Sequence, residues 1–392
     1  MRWTLLGLML MVAWQRVDAP PSSSFAAFLE TLWAEAAARG ITRATFDTAF
    51  AGLTPDPGVL GAVRRQPEYG KPYAAYLSGL VSPSRIAAGQ RKSLRWADTL
   101  NAVERKFGVD KSVLVSIWGI ESSFGEAPEH WDVFRSLATL AQAGFQHPYF
   151  RDELLSALKM LQDDHIPRSQ FLGSWAGAMG QTQFMPSSFL TYAIDFDGNG
   201  YPDIWRSVPD VLASIANYLR KSGWQSESGW GFEVIVPPDF DYGISRSTLA
   251  DFAQRGFKRA DDGRFPAAGT ATLFFPSGAA GPAFLVNENF VVLKRFNNSD
   301  AYALAVGQLS DRLRGLPASR AAWPADDFQP SREERIALQH RLADRGYKIE
   351  DFNGHFDFGL RDAVRDLQRQ FGMLADGHPS RSFLERVGAR RP

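Results

Sequence analysis

The residues best suited to chemistry begin at Glu121, in the run Ser116-Ile-Trp-Gly-Ile-Glu-Ser-Ser-Phe-Gly125. Glu121 lies four residues after Ile117 and eight after Val113, on one face of a helix that is apolar at nearly every position from Val113 to Ile120. A carboxyl group on such a face loses water, which disfavours its charged form and raises its pKa. An acid kept protonated near neutral pH can give its proton to the leaving oxygen of a glycoside. Periodicity alone equally allows the helix to end at Glu121 with its side chain in solvent, and on these residues both readings stand.

Three more segments carry polar groups in suggestive patterns. Ser174-Trp-Ala-Gly-Ala-Met-Gly-Gln-Thr-Gln-Phe-Met-Pro-Ser-Ser188 mixes small residues with amides and hydroxyls, as a sugar cleft needs for close backbone approach and placed hydrogen bonds. It reads equally as a helix contact through Gly and Ala. Lys294-Arg-Phe-Asn-Asn-Ser-Asp-Ala-Tyr302 sets an amide and an aromatic before a helix, where Ser299 also reads as a plain N-cap. Asp195-Phe-Asp-Gly-Asn-Gly-Tyr-Pro-Asp203 has oxygen ligands at the first, third and fifth places of an EF-hand-like loop. Gly200 makes the sharp turn and Tyr201 supplies a carbonyl, but Arg206 stands where the bidentate Glu belongs. Asx-turns alone would account for Asp195, Asp197 and Asn199.

The elements that must position these groups are mostly helical. Helices are expected over Ser22–Gly40, Ser84–Phe107, Val113–Ile120, Asp152–Gln162, Ser207–Lys221 and Ala301–Leu313. Between Gly231 and Phe296 the text turns to β-prone runs among Gly and Pro: Phe232–Val236, Ala271–Phe275 and Phe290–Lys294. Residues 316–330 are rich in Pro, Ala, Ser and Asp and read as a linker. Beyond them, amphipathic helices around Ile336–Leu342 and Val364–Phe371 form a compact all-α module.

Taken together, Glu121-Ser-Ser-Phe-Gly125, Gly177-Ala-Met-Gly180, Gln183-Phe-Met-Pro-Ser-Ser188, Asp195-Phe-Asp-Gly-Asn-Gly200 and Phe296-Asn-Asn-Ser-Asp-Ala-Tyr302 follow a family pattern in order and spacing. The chain resembles the lytic murein transglycosylase B family, from about Phe25 to Leu313. The resemblance implies a mainly α (α+β) chain, with a lysozyme-like catalytic domain and a small β-rich insertion, acting on peptidoglycan glycan strands in the periplasm. Glu121 matches the single catalytic acid/base. Ser174 and Asn297 match polar residues beside the cleaved sugar, and Gln183 matches a cleft amide. Tyr218, Tyr302 and Tyr76 match cleft aromatics. Phe296 departs from the pattern, since a tyrosine is common there, and it keeps only the aromatic face. The resemblance also implies a longer calcium loop closed by Asp210, so structural calcium on Asp195, Asp197, Asn199, Tyr201 and Asp210 is weighed against a helix-opening role for Ser207 and Asp210. No cofactor is expected for the chemistry itself.

Residues 332–388 resemble the small three-helix peptidoglycan-binding domain of wall enzymes, through Leu338-Gln-His-Arg-Leu342, Gly346-Tyr347, Asn353-Gly-His-Phe356, Leu367-Gln368 and Ala375-Asp-Gly377. The expected organisation is signal peptide 1–19, transglycosylase domain 20–315, linker 316–330 and peptidoglycan-binding module 331–392. Two rival functions remain open: a non-catalytic wall-binding scaffold, and a hydrolytic muramidase using two carboxylates.

Composition narrows the field. The 392 residues hold 43 Lys+Arg against 43 Asp+Glu, a balance that argues against a sequence-independent nucleic-acid binder. With no cysteine, disulfides, thiolate catalysis and a lipid anchor through cysteine are excluded. The uncharged stretch Thr4–Trp14 after Arg2 is shorter than the ~20 residues that span a bilayer and reads as the core of an export signal. If uncleaved, it would hold the protein against the inner membrane. The 11 Trp, 29 Phe and 10 Tyr read mainly as core.

Overall fold

The structure is a computed structural model that describes residues 24–64, 70–163 and 165–390. The expected signal segment, residues 1–19, lies outside them. Among the described residues no helix is long and apolar enough to cross a membrane. The chain forms two compact units, the first from residues up to 66, 92–107 and 117–218, the second from 67–91, 108–116 and 219–392.

The first unit is helical, and its helices start where the sequence supplies caps. Ser24 caps Phe25–Ala38, Thr42 caps Arg43–Phe50, and Asp132 caps Val133–Gln142, each accepting a backbone N–H of the first turn. Phe46, Phe50, Phe134 and Phe171 form a chain of ring contacts through its core. Helix Val133–Gln142 is buried from Val133 to Ala141 except at Arg135. A two-residue antiparallel ribbon pairs Trp131 with Gly173 and Asp132 with Leu172, which leads the chain into Ser174. The expected helix Ser84–Phe107 is interrupted at Trp96, giving Pro83–Arg95 and Ala97–Phe107.

The second unit contains a five-stranded antiparallel sheet, in the order Arg246–Thr248, Thr270–Phe274, Ala283–Val286, Gly231–Ile235, Lys258–Arg259. Leu273 pairs with Leu285 and Phe274 with Phe284. Two of the three expected strands are present. The third, Phe290–Lys294, is instead part of helix Glu288–Phe296, and the strand lies just before it at Ala283–Val286. A short apolar run does not distinguish the two by periodicity. The side chain of Asn287 decides, capping the helix by accepting the N–H of Asn289.

The same unit includes three C-terminal helices, Arg332–Ala343, Phe358–Gln370 and Arg381–Val387, around Leu338, Leu342, Val364, Leu367, Phe383 and Leu384. Ser331 and Glu334 form a reciprocal capping box at the start of the first. The module repeats one device. Gln339 accepts the N–H of Gly354 and donates to the His355 carbonyl, and Gln368 does the same with Gly377 and His378. Residues 316–330 form no helix or strand, yet they are fastened to their own unit. Arg320 and Ala321 donate backbone N–H groups to Glu233, Trp323 stacks on Tyr73, and buried Asp327 accepts from Tyr73 N and Ser277 Oγ.

Helix Lys111–Ser122 carries Glu121, and Gly119 sets its close contacts. A Cβ at Gly119 would meet the ring of Phe124 at 2.5 Å, and that ring is buried edge-on against Trp118. Alanine would favour the helix by up to ~1 kcal/mol, whereas overpacking costs about 1–3 kcal/mol. Gly119→Ala is therefore predicted to lower stability by about 1–2 kcal/mol in denaturant titrations; a stabilised variant would contradict this packing.

Candidate active site

Glu121 sits in the last turn of Lys111–Ser122 and is only 7% exposed, so the solvent-facing reading of this residue is not what the fold adopts. The two residues after the helix, Ser123 and Phe124, have φ of 51° and 62°. Such left-handed backbone in side chains larger than Gly costs about 1–3 kcal/mol and persists only where the surroundings enforce it. Here the enforcement is visible. Ser122 Oγ accepts the Gly125 N–H at 3.0 Å, and Gly125 has its missing Cβ directed at the Gln181 amide, 2.4 Å from Oε1.

Gln181 joins the two motifs. Its Oε1 accepts from Trp118 Nε1 at 2.7 Å and its Nε2 donates to the Trp205 carbonyl at 2.7 Å. The loop 174–184 is folded back on itself through Ser174 and Ala178, which bond N–H to carbonyl at 2.8 Å, while Ser174 Oγ accepts the Ala178 N–H at 3.0 Å. Gly177 and Gly180 are both left-handed, and a side chain on either would strike Leu137 or the Ile204 backbone. Glu153, buried, then anchors the end of the motif by accepting Ser187 N at 2.9 Å and Ser187 Oγ at 2.7 Å.

Gln183 has φ of 52° and donates from Nε2 to Glu129 Oε1 at 3.1 Å and to the Gly180 carbonyl at 3.0 Å. Burial pushes the Glu129 carboxyl up to about 7, against the opposing hydrogen bonds of Gly180 and Gln183. Tyr218 is half-buried, packed on Tyr192 at 4.5 Å and Phe184 at 5.8 Å between ring centres. Glu121, Ser174, Gln183 and Tyr218 thus belong to the first unit, and Asn297, Tyr302 and Tyr76 to the second. Tyr302 is fully buried with its ring stacked on Phe296, and Tyr76 is 8% exposed. Ser299 caps the helix Asp300–Leu313 by accepting Tyr302 N. Asn297 is buried, and its Oδ1 has no hydrogen-bond partner among the described residues.

The acidic loop brings carboxylate oxygens of Asp195, Asp197 and Asp210 within 4.8 Å of one another. Asp195 accepts from Gly198, Asn199 and Gly200 N–H groups, and Asn199 Oδ1 from Tyr201. Asp210, fully buried, accepts from the backbone of Phe196, Asp197 and Asp203, and burial raises its pKa, helped by nearby Asp197. Ser207 Oγ accepts Asp210 N at 3.4 Å, the helix-opening contact, and also donates to Asp197 at 2.6 Å.

Sequence reasoning passed over Gln181 and gave Glu129 no role. The only local signal was a second amide two residues before Gln183. For Glu129 the sign of its linkage follows from the raised pKa. Between its ordinary value of 4.5 and about 7 the folded protein keeps a proton that the unfolded chain releases. Its contribution to stability is thus whole below the lower value and lost as pH rises through the upper. The melting temperature of Glu129→Gln should gain on that of the parent from about pH 5 to about pH 7.5; a difference constant with pH would contradict the assignment.

Comparison with known proteins gives a consistent family. Residues 24–311 match the family described as transglycosylase SLT domain, and residues 331–387 a putative peptidoglycan binding domain. Membrane-bound lytic murein transglycosylase B of Escherichia coli (strain K12) is 32% identical over 255 residues, 61% of this chain and 66% of that protein. SltB3 from Pseudomonas aeruginosa in complex with NAG-anhNAM-pentapeptide is 43% identical with a TM-score of 0.84, over 94% of this chain and 100% of that one. Its complex with NAG-NAM-pentapeptide gives 43% and 0.83, over 93% and 100%. With a buried glutamate closing an apolar helix and the transglycosylase match running across most of its length, the chain belongs to the lytic murein transglycosylase B-like family and carries a C-terminal peptidoglycan-binding domain.

Proposed function

We propose that this protein cleaves the β-1,4 bond between N-acetylmuramic acid and N-acetylglucosamine in peptidoglycan and leaves 1,6-anhydromuramic ends. The observation that carries the proposal is the burial of Glu121 at the end of an apolar helix. In its protonated form Glu121 donates to the glycosidic oxygen. Ser174 and Asn297 orient the sugar as positive charge develops at C1, and Gln183 holds a further polar contact. Tyr218 lends an aromatic surface, with Tyr302 and Tyr76 as packed supports. Glu121, now a carboxylate, takes the proton of the muramic C6 hydroxyl, and that oxygen closes on C1. A bound, aligned hydroxyl outcompetes water through its high effective molarity.

Three nearby carboxylates bear on the muramidase alternative, and each already has a partner. Glu126 pairs with Lys92 at 3.1 Å, Glu129 with Gln183, and Asp132 with Arg168 at 2.8 Å. That favours a single acid/base over a carboxylate pair. One of the SltB3 complexes holds an anhydro sugar, and we carry that ligand class over to this chain. The scaffold alternative is disfavoured by the joint retention of Glu121, Ser174, Gln183 and Asn297. The reading places the mature protein in the periplasm after export, with residues 20–315 as the catalytic part, 316–330 as the connection and 331–392 as the wall-binding part.

Structural calcium is part of the same reading. The donors at Asp195, Asp197 and Asp210 are all oxygen, as calcium prefers, with the Asn199 amide and Tyr201 carbonyl at their loop positions. The ion would relieve repulsion among three converging carboxylates and leave the chemistry to Glu121.

Turnover of purified sacculi by Glu121→Gln should fall at least ~100-fold with the fold retained; activity near that of the parent would refute the assignment. Millimolar calcium should raise the melting temperature by a few degrees through binding to the folded state, and Asp195→Ala should abolish the rise. No shift in the parent would refute the calcium site.

A further inference from the structure

The C-terminal module grips the turn that carries Asn297. Helices Glu288–Phe296 and Asp300–Leu313 meet through Asn297-Asn298-Ser299, closed by the Ser299 N–H on the Asn297 carbonyl at 2.6 Å. On either side of this turn sit Lys294 and Asp300, paired at 2.7 Å between Nζ and Oδ1. The other oxygen of Asp300 meets Arg361 Nη2 at 2.7 Å, from helix Phe358–Gln370 of the module. Lys294 Nζ also donates to the Phe356 carbonyl at 3.1 Å, and the Arg361 guanidinium lies 5.0 Å from the Phe356 ring centre and 4.8 Å from that of Phe274. His355 bonds to the backbone of Asn298 itself.

These charges are buried, with side-chain exposures of 10% for Lys294, 7% for Asp300 and 6% for Arg361. The two cations hold the Asp300 carboxyl down at about 2, against its burial. A buried ion cluster is directional, because loss of one member leaves the others unpaired and forces rearrangement. The part that would rearrange is the turn holding Asn297. Among the described residues the buried Oδ1 of Asn297 has no partner, and a lone buried acceptor calls for an explanation. A sugar N–H or O–H fits it.

We propose that Arg361 is a positioning residue for catalysis, holding Asn297 in place through Asp300 and Lys294, so that the module sets active-site geometry as well as engaging the wall. This rests on the reading above in which Asn297 orients the sugar. The test uses the full chain with Arg361→Met, Asn297→Ala and the double variant, assayed on soluble glycan strands for kcat and KM and on sacculi for sedimentation. Arg361→Met should lower kcat about tenfold, a cost expected of a misplaced orienting group, while KM and sacculus binding stay as in the parent. The double variant should be no slower than Asn297→Ala alone. Parental kcat in folded Arg361→Met, a loss confined to KM or sedimentation, or multiplying losses in the double variant would each overturn the proposal. If Asn297→Ala retains full activity, the role of Asn297 in the reaction fails instead. Should Arg361→Met not fold by near-ultraviolet circular dichroism, Arg361→Gln is judged by the same outcomes.

Discussion

A carboxyl group near neutral pH serves as an acid only where water does not stabilise its charge, and a protein must hold it there at a cost. In the proposed role of Glu121 that constraint falls on the segments packed around its helix. The helix beneath it is buried from Ser112 to Ser122, so the acid emerges from a wall of apolar side chains. Directly after it the backbone turns left-handed at Ser123 and Phe124, and the turn is locked by Ser122, by Phe124 seated on Gly119, and by Gly125 against Gln181. Gln181 has its amide bonded at both ends, to Trp118 and to the Trp205 carbonyl. Small residues are required where one segment lies against another, which is why Gly119, Gly125, Gly177 and Gly180 fall within the two motifs.

The second unit solves a different problem, that of joining a small helical module to a sheet and a helix pair. Its solution is polar. The module's two related turns, at Gly354–His355 and Gly377–His378, are tied by paired glutamines. Asp376, in the second, accepts the N–H of Ala279 in the turn after the strand Thr270–Phe274. Arg365 donates to the Leu273 carbonyl, and Arg361 joins the Lys294–Asp300 pair. These contacts place charges and amides against specific polar partners, which makes the docking directional.

Much of this was legible from residues alone, where the signal was local. The buried face of Glu121 follows from its spacing to Ile117 and Val113, and the cap at Ser299 from its residue type. The run Phe290–Lys294 misled because its identity is decided by one side chain, Asn287, outside the run. Gln181, Glu129 and Arg361 were not legible because their partners lie 63, 54 and 61 positions away. The resemblance makes Tyr302 a cleft aromatic, whereas in the fold it is fully buried with its ring stacked on Phe296.

The central claim is that the muramic C6 hydroxyl, rather than water, attacks the carbon released by Glu121. Digestion of sacculi in water enriched in oxygen-18, followed by mass spectrometry of the muropeptides, tests it directly. The account predicts unlabelled muramic ends lighter by one water than the reducing sugar. Reducing ends that carry the heavy oxygen would contradict it.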